Sequence, residues 1–109
     1  MVANILRDAG IKARRGRYTA KPLPDTYAVW MDEREAGGAD GINCLVTHNI
    51  TVELYAKTQD EEARAALEAE LDTRGFAWTS QDWYWLQDEQ RYQAIYEFYY
   101  IEKRRIKHG

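Results

Sequence analysis

A chain of 109 residues with 45% apolar side chains has the size of one domain, able to bury roughly two-thirds of its unfolded surface. Its single cysteine, Cys44, excludes an intrachain disulfide framework and a multi-cysteine zinc site, and no run approaches the ~20 apolar residues of a membrane span. The net charge of −3 hides a partition: residues 1–25 carry six basic and two acidic side chains, residues 26–100 five and fifteen, and residues 101–109 four and one.

An acidic body with basic ends serves solubility in the plainest reading. It also suits a protein whose termini touch an acidic neighbour, including an identical subunit. Four Trp, eight Tyr and two Phe are more large rings than a small core needs, and such a surplus tends to sit in interfaces. The opening Met1-Val2-Ala3-Asn4-Ile5 lacks the basic start and apolar run of a signal peptide, so synthesis in the cytoplasm is expected.

In chain order, residues 2–9 read as a short helix with Ile5 and Leu6 apolar and Gly10 placed to end it. Residues 12–25 are basic, contain Pro22 and Pro24, and read as an irregular arm, because Pro-x-Pro excludes a central strand. Residues 26–31 alternate as a first strand. Residues 32–41, with three glycines and four acids, read as a flexible loop.

From Cys44 to Ala56 the even positions are apolar except for His48, and the odd positions are mostly polar. A period of two puts alternate side chains on opposite faces, which predicts one long strand with a buried face. Cys44 shares the apolar parity and is expected to be a buried, reduced thiol. Thr58-Gln59-Asp60-Glu61 has capping-box spacing and opens a helix over about 59–74, with Gly75 as a left-handed terminator. Its apolar stripe of Ala63, Leu67 and Leu71 is narrow, so the helix is expected to lie on a sheet. Residues 83–87 and about 90–103 read as two further strands. The last is apolar on both parities, which requires both faces to be at least partly covered.

The order helix, strand, strand, helix, strand, strand predicts an α+β fold with an antiparallel sheet of about four strands and a helix packed on one face. A single domain is expected over 1–109: an N-terminal helix and basic arm (1–25), a core (26–103) and a basic tail (104–109).

Candidates for chemistry are few. His48 on the apolar parity reads as a hydrogen-bonded core or edge histidine, and its neighbour in parity, Cys44, is about 13 Å away along an extended chain, too far for a nucleophile–base pair. Ser80 has no glycine elbow, the acidic loop lacks calcium-loop spacing, and the glycine run has no following Lys-Ser or Lys-Thr. No catalytic, cofactor or metal residues are assigned, and no enzyme is expected. Tyrosines on a sheet face resemble a single-stranded RNA platform superficially, but the acidic body repels phosphates, so no specific nucleic acid is expected. The charges without a partner in their own element are Glu33, Glu35 and Asp40 in the loop, Arg14, Arg15 and Arg17 in the arm, and Arg104 and Arg105 in the tail. These are the candidate subunit or partner contacts.

The ordered segments Tyr-Ala-Val-Trp, Gly-Ala-Asp, His-Asn-Ile-Thr-Val-Glu-Leu-Tyr-Ala, Thr-Gln-Asp-Glu-Glu-Ala-Arg and Tyr-Gln-Ala-Ile-Tyr-Glu-Phe-Tyr-Tyr-Ile-Glu-Lys cover about residues 26–103. Together they resemble the small tail-completion, or tail-terminator-like, proteins of siphophages and prophages, also described as minor tail or head–tail joining proteins. The resemblance implies a non-enzymatic virion structural protein, made in the bacterial host cytoplasm and located in the tail. It implies a ring of identical subunits, usually a hexamer, capping the tail tube and meeting a major tail or head–tail connector protein. The residues alone leave open a cytosolic regulatory module that binds a protein through its aromatic sheet face.

Overall fold

The computed structural model describes residues 1–39 and 43–105. Their elements are α1 (Val2–Asp8), β1 (Lys12–Arg15), β2 (Thr26–Ala39), β3 (Asn43–Ala56), α2 (Glu61–Thr73), β4 (Trp78–Leu86) and β5 (Arg91–Arg105). The class is α+β. The sheet has five strands in the order β1-β2-β3-β5-β4, and it is mixed rather than purely antiparallel.

The fifth strand is the segment expected to be an irregular arm. β1 lies parallel to β2, with Lys12 opposite Tyr27 and Arg15 opposite Trp30. Both prolines fall beyond it, and Gly16, at φ +80°, turns the chain away before they are reached. A residue with positive φ is cheap only for glycine, so the strand stops there.

β3 is the spine. It pairs with β5 from Asn43–Arg105 to Ala56–Tyr92 without a shift. It pairs with β2 from Thr26–Ala56 to Ala39–Cys44, with one irregularity between Ala36 and Ala39. The acidic, glycine-rich stretch expected as a loop is therefore strand as far as Ala39, while Asp40 and Gly41 lie outside the described residues. Strand preference depends on the neighbours a segment is offered, and a long alternating partner outweighs poor local propensity. β4 likewise starts earlier than expected, at Trp78, and a bulge between Gln81 and Tyr84 separates its two paired stretches.

The even parity of β3 is the core face. Ile50, Val52 and Leu54 pack with Ala28, Ala94, Tyr96 and Phe98 of the flanking strands. Both helices cover this same face: Ile5 and Leu6 of α1 and Leu67 and Leu71 of α2 are essentially fully buried in one cluster with it. The opening helix therefore cannot cover the opposite face. Among the described residues the 12–25 segment reaches round to it, through Tyr18 packed on Tyr27, which itself stacks on Tyr55. Arg64 fastens α2 to the sheet, its Nε donating to the Tyr96 hydroxyl (2.8 Å) and its Nη1 to Asp82 (2.7 Å).

The N-cap of α2 is Asp60, not Thr58. Its Oδ1 accepts from the Ala63 amide (3.0 Å), and its Oδ2 accepts from the Thr26 hydroxyl (2.6 Å), so one carboxylate caps the helix and ties it to β2. Gly75, at φ +78°, closes the helix as expected.

Asp60→Ala should cost about 0.5–2 kcal/mol in denaturant melts, the usual loss for an N-cap, whereas Thr58→Ala should stay within about 0.5 kcal/mol. Leu67→Ala, at a site with no exposed area, should cost about 2–5 kcal/mol through the cavity it leaves. A Leu67→Ala loss below about 0.5 kcal/mol would mean that α2 does not dock through that side chain.

Candidate interaction surface

Beyond the helices the sheet continues as a three-stranded blade, formed by 31–39 of β2, 43–51 of β3 and 99–105 of β5. A strand rises about 3.3 Å per residue and a helix 1.5 Å, so the 14 residues of β3 span about 46 Å and the 13 of α2 only about 20 Å. One helix cannot cover one such strand from end to end. The molecule is accordingly elongated, 51 × 27 × 22 Å.

On the helix-side face of the blade, a polar cluster takes over where the aliphatic core ends. His48 is buried, its ring stacked on Tyr100 with centroids 4.4 Å apart. Its Nδ1 lies 2.8 Å from Asp32 Oδ2 and its Nε2 2.7 Å from Glu102 Oε1. Each ring nitrogen thus faces a carboxylate oxygen, one from β2 and one from β5. The three side chains come from β2, β3 and β5, and so the cluster bolts the blade crosswise. Phe76, just after α2, packs on Phe98 and Tyr100 and closes the seam between cluster and core. Arg104, then His48, hold the half-exposed Glu102 carboxyl down to about 2. His48 is thus hydrogen-bonded on both sides, and among the described residues no group of three or more His, Cys, Asp or Glu could hold a metal ion. Cys44 is partly exposed rather than buried, because it sits near the far end of the blade where neither helix reaches.

The opposite face of the blade is open. Tyr99 and Ile101, neighbours on β5, are 56% and 58% exposed, the large exposed apolar side chains of the blade, while Tyr84 on β4 is exposed outside it. Beside them run Asn49 and Thr47 of β3 and then Glu33 and Glu35 of β2. Nearer the body, Tyr27 and Val29 are buried beneath the 12–25 segment, and the Tyr55 hydroxyl, desolvated and beside Glu53, is pushed up to about 12.

The edges of the blade are open as well. β1 stops at Trp30, so among the described residues the outer backbone of 31–39 has no strand partner. β4 begins opposite Phe98, which leaves the outer backbone of 99–105 in the same condition.

The sequence-derived contact residues fall into two groups. Glu33 and Glu35 lie on one edge of the blade and Arg104 and Arg105 on the other, all in strands rather than in a loop and a tail. Asp40 lies outside the described residues. Arg14 and Arg15 belong to β1 at the base of the blade, over the rings of Tyr18 (5.2 Å) and Trp30 (5.3 Å), with exposed Arg17 just beyond. Arg104 has a partner within its own strand, Glu102 at 3.0 Å, contrary to the expectation of none. The Asp32–His48–Glu102 cluster was not assembled from the sequence, since it depends on register across three strands. Parity alone places Glu102 with Tyr100 and Asp32 with Trp30.

No protein-family model matches the chain, and no curated protein matches it.

Because the Glu102 carboxyl is held below its ordinary value of 4.5, its contribution to stability is present above that pH and is lost as pH falls towards about 2. The melting temperature should therefore drop over that interval, and Glu102→Gln should make the drop shallower. His48→Leu should cost about 1–3 kcal/mol at neutral pH, by removing the short His48 contacts to Asp32 and Glu102 and leaving Asp32 only the longer one to Arg34 (3.7 Å). An acid limb unchanged by Glu102→Gln, measured by thermal melts across this range, would remove the cluster from the stability of the blade.

Proposed function

We propose that this chain is a non-enzymatic virion structural protein of a phage or prophage, a tail-terminator-like subunit that acts in tail completion or head–tail joining. In this reading it forms a ring of identical subunits, a hexamer in the usual case, at the end of the tail tube. Its partners are itself and the adjoining major tail or head–tail connector protein, and its location is the virion tail.

The support is the blade. A lone subunit leaves one face of a three-stranded sheet open, with Tyr99 and Ile101 exposed on it. Aromatic and aliphatic anchors side by side on a polar sheet are the composition of an interface centre. A rigid body with a long exposed ribbon suits a component that is completed by assembly. Polar fastening of the blade by His48 keeps it ordered before any neighbour arrives. A cytosolic regulatory module binding one protein through the same face is the rival, and it predicts a discrete complex instead of a particle component.

The test is complementation of a phage deleted for this gene. The wild-type protein should restore joined, tailed particles and should be found in purified virions. Tyr99→Ser with Ile101→Ser, folded by circular dichroism, should lower the titre by about an order of magnitude or more. Full titres without any copy of the gene, or virions devoid of the protein, would overturn the reading.

A further inference from the structure

The two open edges of the blade carry opposite charge. Along β2, Glu33 and Glu35 are exposed acids, while Arg34 lies 3.7 Å from the nearly buried Asp32 carboxylate. Along the end of β5, Lys103, Arg104 and Arg105 are set against one acid, Glu102. We infer that the outer edge of β2 in one subunit pairs with the outer edge of β5 in a second copy of this chain, extending the sheet continuously from subunit to subunit. The inference rests on the self-association in the function proposed above and names its interface.

Charge decides among the possible pairings. Joining β2 to β2 sets Glu33 and Glu35 against the same acids, and joining β5 to β5 sets three bases against three bases. Only β2 with β5 is complementary, and like-charge opposition excludes the other two. That pairing uses two different patches of one subunit, so it is head-to-tail and propagates until a ring closes.

Strand direction agrees with ring closure. β2 and β5 are each antiparallel to β3, hence parallel to one another. A rotation about an axis along the strands preserves direction, so the new ladder between β5 and the neighbouring β2 is parallel and every subunit is equivalent. Side chains on the open face stay on one face across the junction. At level register Glu33 and Glu35 of the neighbour lie beside Tyr99 and Ile101, and a slide of about two residues, of the kind strand tilt imposes, sets Glu33 beside Ile101 and Glu35 beside Lys103.

The remaining edges are guarded. β1 offers only Lys12–Arg15, a short and strongly basic edge. β4 is interrupted by its bulge, where the Asp82 carboxylate accepts from the Trp83 amide and from Arg64. Short, charged and bulged edges are the usual defences against strand addition. The blade has no bulge along 99–105, and β2 is regular from 31 to 36, its one irregularity lying beyond, between Ala36 and Ala39; the charges of these two edges are complementary instead of uniformly repulsive.

Disulfide trapping tests the interface. In a Cys44→Ser background, the pairs Glu33→Cys with Ile101→Cys, Glu35→Cys with Ile101→Cys, and Glu35→Cys with Lys103→Cys span the plausible registers. Within one subunit these positions are separated by β3, about 9–10 Å or more between Cα atoms, beyond the ~7 Å limit for a disulfide. Oxidation of concentrated protein should give a ladder of covalent multimers from at least one pair on a non-reducing gel, whereas each single-cysteine protein should stop at dimer. Glu33→Lys with Glu35→Lys should abolish oligomers in sedimentation velocity, as should Lys103→Glu with Arg105→Glu, and the four substitutions together should restore them. Oligomers that form while all three pairs stay untrapped would overturn this interface and leave the proposed function standing. Protein that remains monomeric at its highest concentration, with no trapping, would overturn both.

Discussion

The structure depends on the length of β3. Fourteen residues of uninterrupted alternation, paired along both sides, make a strand more than twice as long as the helix laid against it. Everything else follows from that mismatch. The half of the sheet beneath the helices can be aliphatic, because α1 and α2 exclude water from it. The other half cannot be closed by any element among the described residues, so it needs another way to stay ordered and another use for its exposed surface.

Order in the blade comes from ladder hydrogen bonds and from the crosswise Asp32–His48–Glu102 cluster. A buried imidazole between two carboxylates costs desolvation, yet each ring nitrogen has an acceptor and each acid a donor. An aliphatic residue at position 48 would extend the core by one layer, but it would leave Asp32, nearly as buried as the histidine, with only the 3.7 Å contact to Arg34. The cluster therefore acts as a specificity device. It fixes the register of three strands at once, because a slip of one residue in any of them moves its member to the other face.

The long strand, the closing helix with its Gly75 terminator and the narrow Leu67–Leu71 stripe were all legible in the sequence, since each is a periodic or punctuated pattern within one element. β1 was not, because a four-residue parallel edge strand has no room for alternation and the prolines nearby spoke louder than they deserved. The outer half of β2 was hidden by its composition: Gly and acids disfavour a strand until a fixed partner supplies the cross-strand contacts. The capping-box spacing pointed to Thr58, and the cap is Asp60. Asp60 wins through Thr26, a contact 34 residues away that no local rule contains. Glu33, Glu35, Arg104 and Arg105 were named from the sequence as loop and tail charges, and all four lie in strands. What stayed hidden was that they occupy two edges of one sheet.

An open edge is normally a hazard, and the same charges that make the proposed junction specific also restrain it. At low concentration a free subunit exposes one acidic and one basic edge, each hydrated and each repelling its own kind. Main-chain pairing is available only to a complementary edge in parallel orientation, so random strand addition by other chains is suppressed without blunting the edge itself. Electrostatic complementarity of this sort speeds correct encounters and rejects wrong ones more than it deepens binding, and physiological salt screens it beyond about 8–10 Å. Ile101 and Tyr99, next to the basic edge, would contribute the less salt-sensitive part of such a contact once the edges have met. In the proposed assembly, this division of labour between charged edge and apolar face would keep one short blade safe while alone and let it join a neighbour.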